Sequence, residues 1–240
     1  MKSVNKLIDS ELDLIVTYHL SCFHDFPTVD YDTDTMPISH TVQLESDYEF
    51  LQDKLGISDE DKNNFTSKSI ENVILAELTI TEFPSEWKEE IGESWFCWLD
   101  ALDGDHAVIG SRADQIEEEE LYDDPFLVGS LFYVSRLDVH PFLRGREIGI
   151  KLIQYSFRNL IRNASGMIFL ISKPMQSSFS KDDAIFKSSS RLAKYYERVG
   201  FTRVSKRKSK DVLMEVTVEK LLTSSFCLGS SGNYTVSKRK

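Results

Sequence analysis

The sequence predicts an α/β fold, a mixed α+β sheet with helices packed on it. Three observations carry that expectation. From Leu127 onward, apolar runs and helix-spaced stripes alternate in the order strand, helix, strand, helix, strand, strand. The 240 residues, 41% of them hydrophobic, suffice to bury a sizeable core as one elaborated domain. Between the first of those strands and the helix after it lies Val139-His140-Pro141-Phe142-Leu143-Arg144-Gly145-Arg146-Glu147-Ile148-Gly149, whose proline and glycines shape a tight turn.

Taken in order, Ser3 to Ile8 reads as a short strand. Asp9-Ser10 then offers an N-cap, and Leu12, Ile15, Val16, His19, Leu20 and Phe23 recur at helical spacing, so 10–24 reads as an amphipathic helix. Residues 25–43, with Asp30, Asp32, Asp34 and two prolines, read as a loop. Asp47 to Leu55 is helical, closed by Gly56, and Ser58-Asp59-Glu60-Asp61 resembles a further helix start. The Thr-Ile-Thr end of 72–82 and the following Pro84 favour a strand, with a short helix over Ser85 to Ile91. Trp95 to Leu99 is an aromatic, strand-like run, Asp103-Gly104-Asp105 signals a hairpin, and His106 to Ile109 reads as the returning strand. The acidic stretch 113–124 reads as an exposed loop or helix-edge insertion. Leu127 to Val139 is a long apolar strand and Ile148 to Ile161 a helix. Met167 to Ile171 is a buried strand, 175–187 a loop and Ser188 to Val199 a helix stopped by Gly200. Phe201 to Val204 and Val212 to Val218 form a hairpin about a basic turn. The Ser- and Lys-rich end, 223–240, reads as a flexible tail.

Composition narrows the function classes. No apolar run approaches the length of a membrane span, and Met1 to Asp13 lacks the apolar core of a signal peptide, so a cytoplasmic protein is expected. Cys22, Cys97 and Cys227 are odd in number and far apart, which argues against a disulfide framework and a zinc site; they read as buried structural thiols, and no metal is expected. Residues 1–130 carry 7 Lys+Arg against 31 Asp+Glu, a charge of −24, and residues 131–240 carry 21 against 8, or +13; together they give the net −11. A basic half attracts a ligand with several phosphates, and an acidic half steers a cationic acceptor. Basic clusters without interleaved aromatics, on an acidic chain, make nucleic acid an unfavoured partner.

The chemistry-bearing segments are the turn and a later helix. A pyrophosphate needs several backbone N–H groups aimed at one place, and a strand-to-helix turn supplies them at the positive end of a helix dipole. Downstream, Leu192-Ala193-Lys194-Tyr195-Tyr196-Glu197-Arg198-Val199-Gly200-Phe201 sets a tyrosine four residues before a Gly-Phe step. The pair resembles the GNAT N-acetyltransferase superfamily over Ser94 to Val218, with Arg144 and Gly149 at the ends of the family's Arg/Gln-x-x-Gly-x-Gly/Ala signature. Glu147 stands where the family has its middle glycine, and Lys173-Pro174 with an insertion replaces a common asparagine.

The resemblance implies a GNAT-like fold in which residues 1–24 form the first strand and helix. It implies an enlarged acidic insertion at 25–93 that walls the acceptor site, and a cofactor-binding and catalytic core at 94–218, all within one domain to residue 222. It also implies acetyl-CoA as acyl donor. Leu137 and Val139 would pair with the pantetheine arm, and Arg144, Gly145, Arg146, Ile148, Gly149 and Ile150 would hold the phosphates. Tyr196 would be the acid that protonates the departing thiolate, with Tyr195 as fallback. The base is harder to place. Asp138, Tyr133 and the Glu117 to Glu120 run are candidates, with Asp138 the principal one, and family members often lack a dedicated base. The expected reaction is direct transfer to an amine, on a small molecule or a protein, with a cationic acceptor favoured and a homodimer left open. The other reading is a GNAT-fold binding or regulatory protein; a toxin-like acetyltransferase acting on charged tRNA is disfavoured by the acidic half.

Overall fold

The computed structural model describes residues 15–22, 37–55, 66–67, 72–127, 129–145, 147–162, 164–173, 182–204 and 211–224. Within them, strands β1 (Ile15–Cys22), β2 (Ile38–Asp47), β4 (Asn72–Phe83), β5 (Ser130–Val139), β6 (Gly166–Ser172), β8 (Val212–Thr217) and β7 (Thr202–Arg203) form a sheet in that spatial order. The short β3 (Thr66–Ser67) pairs with β4. Pairing is antiparallel except between β5 and β6. A parallel pair requires a crossover, and α5 (Ile148–Tyr155), prolonged by a π-helical turn over Ser156–Leu160, supplies it. The remaining helices are α1 (Tyr48–Leu55), α2 (Ser85–Ile91), α3 (Trp95–Asp100), α4 (Gly104–Glu118), α6 (Asp182–Glu197) and α7 (Val218–Thr223).

Because successive strand residues face opposite ways, the sheet carries two apolar layers. Val42, Leu44, Leu78, Ile80, Phe132 and Val134 meet Ile150, Ile153, Ala193 and Leu221 of α5, α6 and α7. On the other face Phe83, Leu131, Tyr133, Met167 and Phe169 meet Trp95, Leu99, Ile109, Ala113 and Ile116 of α3 and α4. Burial at i and i+4 on both α3 and α4 is the helical period, and it departs from the hairpin expected over 95–109. The aromatic run favours strand by propensity, but capping decides. The Ser94 hydroxyl accepts from the Cys97 amide at 3.1 Å, and the Asp114 carboxylate accepts from the amides of Trp95 and Phe96 at 2.8 and 3.0 Å. The Asp103 carboxylate likewise accepts from the His106 amide at 2.9 Å, so Asp103-Gly104 starts a helix instead of turning a hairpin. The acidic stretch after residue 112 is accordingly the second half of α4, followed by a 3-10 turn over Leu121–Asp123.

Other departures have similar causes. Residues 15–22 are the edge strand β1 and not the end of a helix: Ile15, Val16 and Thr17 are β-branched, and β2 offers a full antiparallel ladder from Ile15↔Glu45 to Cys22↔Ile38. The ladder also makes Ile38 onward a strand where a loop was expected, so residues 25–93 hold two long strands of the sheet itself. Helix α6 begins at Asp182, six residues before the expected start. Cys97 is an exposed free thiol, not a buried one. Residues 3–8, the start at 58–61, the basic turn at 206–210 and the tail from 225 lie outside the described residues. Among the described residues, no helix is long and apolar enough to cross a membrane, and no cluster of metal-ligating side chains occurs.

Candidate functional site

Among the described residues the sheet opens between β5 and β6. β5 and β6 pair from Ser130↔Gly166 to Val134↔Leu170, and there their register ends. From Ser135 to Val139, β5 continues with β4 as its only partner among the described residues. The parting coincides with a bulge: Ile80 faces Val134 and Thr79 faces Arg136, leaving Ser135 unopposed, with its hydroxyl donating to the Thr79 carbonyl at 3.4 Å. The extra residue shifts the alternation, so Leu137 and Val139 continue the layer of Phe132 and Val134. Arg136 and Asp138 face the other way. The strand therefore presents a row of backbone groups along the gap, with apolar side chains on the α5 side.

That edge leads into the glycine turn. The His140 amide donates to Leu75 O at 2.8 Å, anchoring the turn to β4, and Pro141–Leu143 forms one 3-10 turn closed by Leu143 N to His140 O at 2.9 Å. Arg144 folds back, its Nε donating to Val139 O at 3.0 Å. Gly145, at φ +83°, lies in the left-handed region, and nothing comes within 4 Å of where a Cβ would sit, so the turn is open to close approach. Glu147 is also left-handed, at φ +64°, and precedes α5 without capping it. Its carboxylate accepts instead from the Arg198 guanidinium, just beyond α6. That partner is fifty-one positions away in sequence. Arg146 lies outside the described residues.

The two tyrosines divide between turn and core. The Tyr195 hydroxyl accepts from the Ile150 amide at 3.1 Å, and it would stand 3.2 Å from a Cβ on Gly149. Burial pushes its pKa up, the Ile150 amide pulls it down and the nearby Glu147 charge raises it again. Tyr196 packs its ring edge-on against Tyr195 and Phe201 in the core, and desolvation, with a smaller effect of Tyr195, raises its pKa well above the usual phenol range. Asp138 lies opposite Glu77 on β4, with Arg136 3.3 Å from Glu77 and 3.7 Å from Asp138. Glu117 is engaged too, accepting from the indole N–H of Trp95 at 2.9 Å and from Lys88.

On the face opposite α5, the first turn of α4 spans the opening. His106 stacks edge-on against Tyr133 with ring centroids 5.0 Å apart, one residue before β5 and β6 part, and its Nδ1 lies 2.8 Å from Asp103 Oδ1. Asp103 is exposed, and the bonds from His106 outweigh a desolvation effect of opposite sign to lower its pKa. Asp105 accepts from Lys173 Nζ at 2.9 and 3.1 Å, tying α4 to the chain just past β6. Desolvation, followed by Asp105 and Asp103, raises the Tyr133 pKa far above its ordinary value. The sequence reading placed His106 in a strand and passed over it. The Asp-x-x-His spacing of an N-cap was the signal available.

No family model matches the chain, and no curated protein does. Among solved structures it is similar to nourseothricin acetyltransferase, at 12% identity, covering 88% of this chain and 91% of that one, with a TM-score of 0.33. It is also similar to the polyamine N-acetyltransferase of Drosophila melanogaster, at 16% identity over 60% and 69%, TM-score 0.32. A third similar structure is the KacTA–DNA complex, at 9% identity over 86% and 95%, TM-score 0.35. Independently of these, the sheet order, the single parallel pair parting at a bulge, and the open turn feeding the crossover helix give this chain a GNAT-like fold.

Proposed function

We propose that the chain transfers an acetyl group from acetyl-CoA directly to an amine, with cationic amines as the acceptor class. The observation that carries this reading is the edge of β5 from Ser135 to Val139 facing away from β4, which has no strand partner among the described residues and runs into the turn at the start of α5. The residues fit such a donor. In this reading Leu137 and the Val139 amide would pair with pantetheine, the Val139 carbonyl being held by Arg144 Nε, while Arg144, Gly145, Arg146, Ile148, Gly149 and Ile150 would offer charge and amides to phosphates. The Glu147 carboxylate, repulsive to phosphate when alone, is neutralised by Arg198. Bound acetyl-CoA supplies an activated acyl carbon. The chain's part is to hold that carbon and the amine in register, without an acyl-enzyme. Tyr196 is the proposed proton donor to sulfur, and its raised pKa keeps it protonated through neutral and mildly alkaline pH. Tyr195 belongs to the phosphate end, where its hydroxyl shares the Ile150 amide with a phosphate oxygen or yields it. Asp138 remains the base offered by the sequence, in competition with its Arg136 neighbour.

The same Tyr195 contact favours a second reading, a binding or regulatory protein that keeps the fold, since one amide of the turn is already engaged. Calorimetry with acetyl-CoA, followed by a consumption screen across amine classes, tests both. Micromolar binding with turnover on some amine supports the transferase. Binding without turnover supports the second reading, and no binding at millimolar ligand removes the coenzyme A site.

A further inference from the structure

We propose that the acceptor amine enters on the face of the opening opposite α5 and that His106, held by Asp103, is the general base there. The inference rests on the acetyl-CoA reading above and adds a substrate side and a residue to it. Three observations place the imidazole. It lies edge-on to Tyr133, in the last pairs before β5 and β6 separate. It is shielded, with a side chain only 13% exposed, between Tyr133 and the Phe83 ring at 5.8 Å. Its helix is tied across the opening by Lys173 to Asp105, so the first turn of α4 covers the mouth from one strand to the other. The charged and titratable groups facing it are Asp103 and Asp105 on α4, Tyr133 on β5 and, beyond Asp105, Lys173 with Asp211 at 4.0 Å. Three carboxylates beside one lysine suit a cationic acceptor.

The Asp103 carboxylate lies 2.8 Å from Nδ1, outside hydrogen-bond geometry, and its charge there favours the tautomer with the proton on Nδ1 and the lone pair on Nε2. Nε2 takes a proton from the acceptor ammonium. The freed amine attacks the thioester carbonyl, a C–N bond forms and the C–S bond breaks. The departing thiolate takes the Tyr196 proton, the new amide nitrogen returns one to Tyr196 and His106 gives its own to water. The net products are amide, free thiol and one released proton.

The test uses the full chain with acetyl-CoA, spermidine and glycinamide. His106→Asn, which keeps a donor towards Asp103, and His106→Gln should bind acetyl-CoA as wild type does, yet release coenzyme A thiol about 10²- to 10³-fold more slowly. Wild-type kcat should fall towards acid pH along a limb that does not move with acceptor basicity, and both variants should lose that limb. Independently of turnover, the His106 ring proton resonance, assigned by its absence in the variants, should shift when spermidine joins acetyl-CoA. Unchanged turnover and an unchanged acid limb in either folded variant, or a resonance indifferent to both ligands bound to wild type, overturns the role of His106 and leaves the acetyl-CoA reading standing. Wild type that does not bind acetyl-CoA overturns both.

Discussion

At the scale of single residues the turn and the tyrosines make separable demands. Tyr195 touches the amide of Ile150 at the phosphate end, whereas Tyr196 lies in the core layer beneath the gap. A pantetheine arm separates phosphates from sulfur, so one hydroxyl cannot serve both ends. Tyr196→Phe is expected to lower kcat about 10²-fold with acetyl-CoA affinity unchanged, and Tyr195→Phe to change Kd by a few fold with kcat near wild type. Steady-state kinetics beside calorimetry separates them, and the reverse pattern would exchange the two roles. The pairing of Glu147 with Arg198 gives a second outcome. Arg198→Ala leaves a carboxylate beside the turn and should weaken acetyl-CoA binding about tenfold, or ~1.4 kcal/mol. Adding Glu147→Gln should restore it, because removing both charges removes the repulsion. Glu147 was legible in the sequence as a misplaced charge. Its partner was not, because Arg198 meets it only after α6 has folded back over α5.

At the scale of elements, close approach decides which glycines matter. A Cβ on Gly110 would lie 2.7 Å from Trp95 O and 2.8 Å from the Phe96 Cα, because α4 crosses α3 backbone to backbone. Gly110→Ala must push two helices apart, and a loss of about 1–3 kcal/mol is expected in urea unfolding. Gly145→Ala meets no neighbour and carries only the strain of its left-handed backbone, about 1–2 kcal/mol. It should therefore act mainly on acetyl-CoA affinity. These two glycines also show where sequence reading succeeds. The turn at Gly145 is local chemistry, a strand running into proline and glycine, and it was placed correctly, as were β4, β5, β6, β8 and the body of α6. The α3–α4 pair was read as a hairpin because Trp95 to Leu99 has strand propensity. Its helical state is fixed by a residue from elsewhere, Asp114, accepting from two α3 amides. The β1 error has the same origin, since the ladder that makes Ile15–Cys22 a strand comes from β2.

At the scale of the whole molecule, the inserted helices are locked to the sheet by a buried charge. Arg112 of α4 donates from Nε and a terminal nitrogen to both oxygens of Glu215 on β8, at 2.8 and 2.7 Å, and the Tyr122 hydroxyl adds a third bond at 2.7 Å. Glu215 is 2% exposed, so Arg112→Ala strands a buried carboxylate and should cost about 3–5 kcal/mol in urea unfolding. The two halves thus meet here with signs reversed, a cation of the acidic half on a carboxylate of the basic half, which the charge count alone did not reveal. The same burial sets how the protein meets alkali. Desolvation is the largest cause raising the pKa of Tyr122, Tyr133, Tyr195 and Tyr196. Arg112 and Lys173 are raised as well, each first by its hydrogen-bonded carboxylate. A phenol that holds its proton more tightly when folded ionises first in the unfolded chain, so its stabilising effect is whole below the ordinary value of about 10 and drains away above it. The two cations act in the same direction. Stability in urea should therefore hold level to about pH 10 and then fall with each step upward, while phenolate absorbance at 295 nm rises in concert with loss of structure. Four independent phenols titrating smoothly near pH 10 in a still-folded chain would mean that water reaches these rings and that the layers around the opening are looser than their packing indicates.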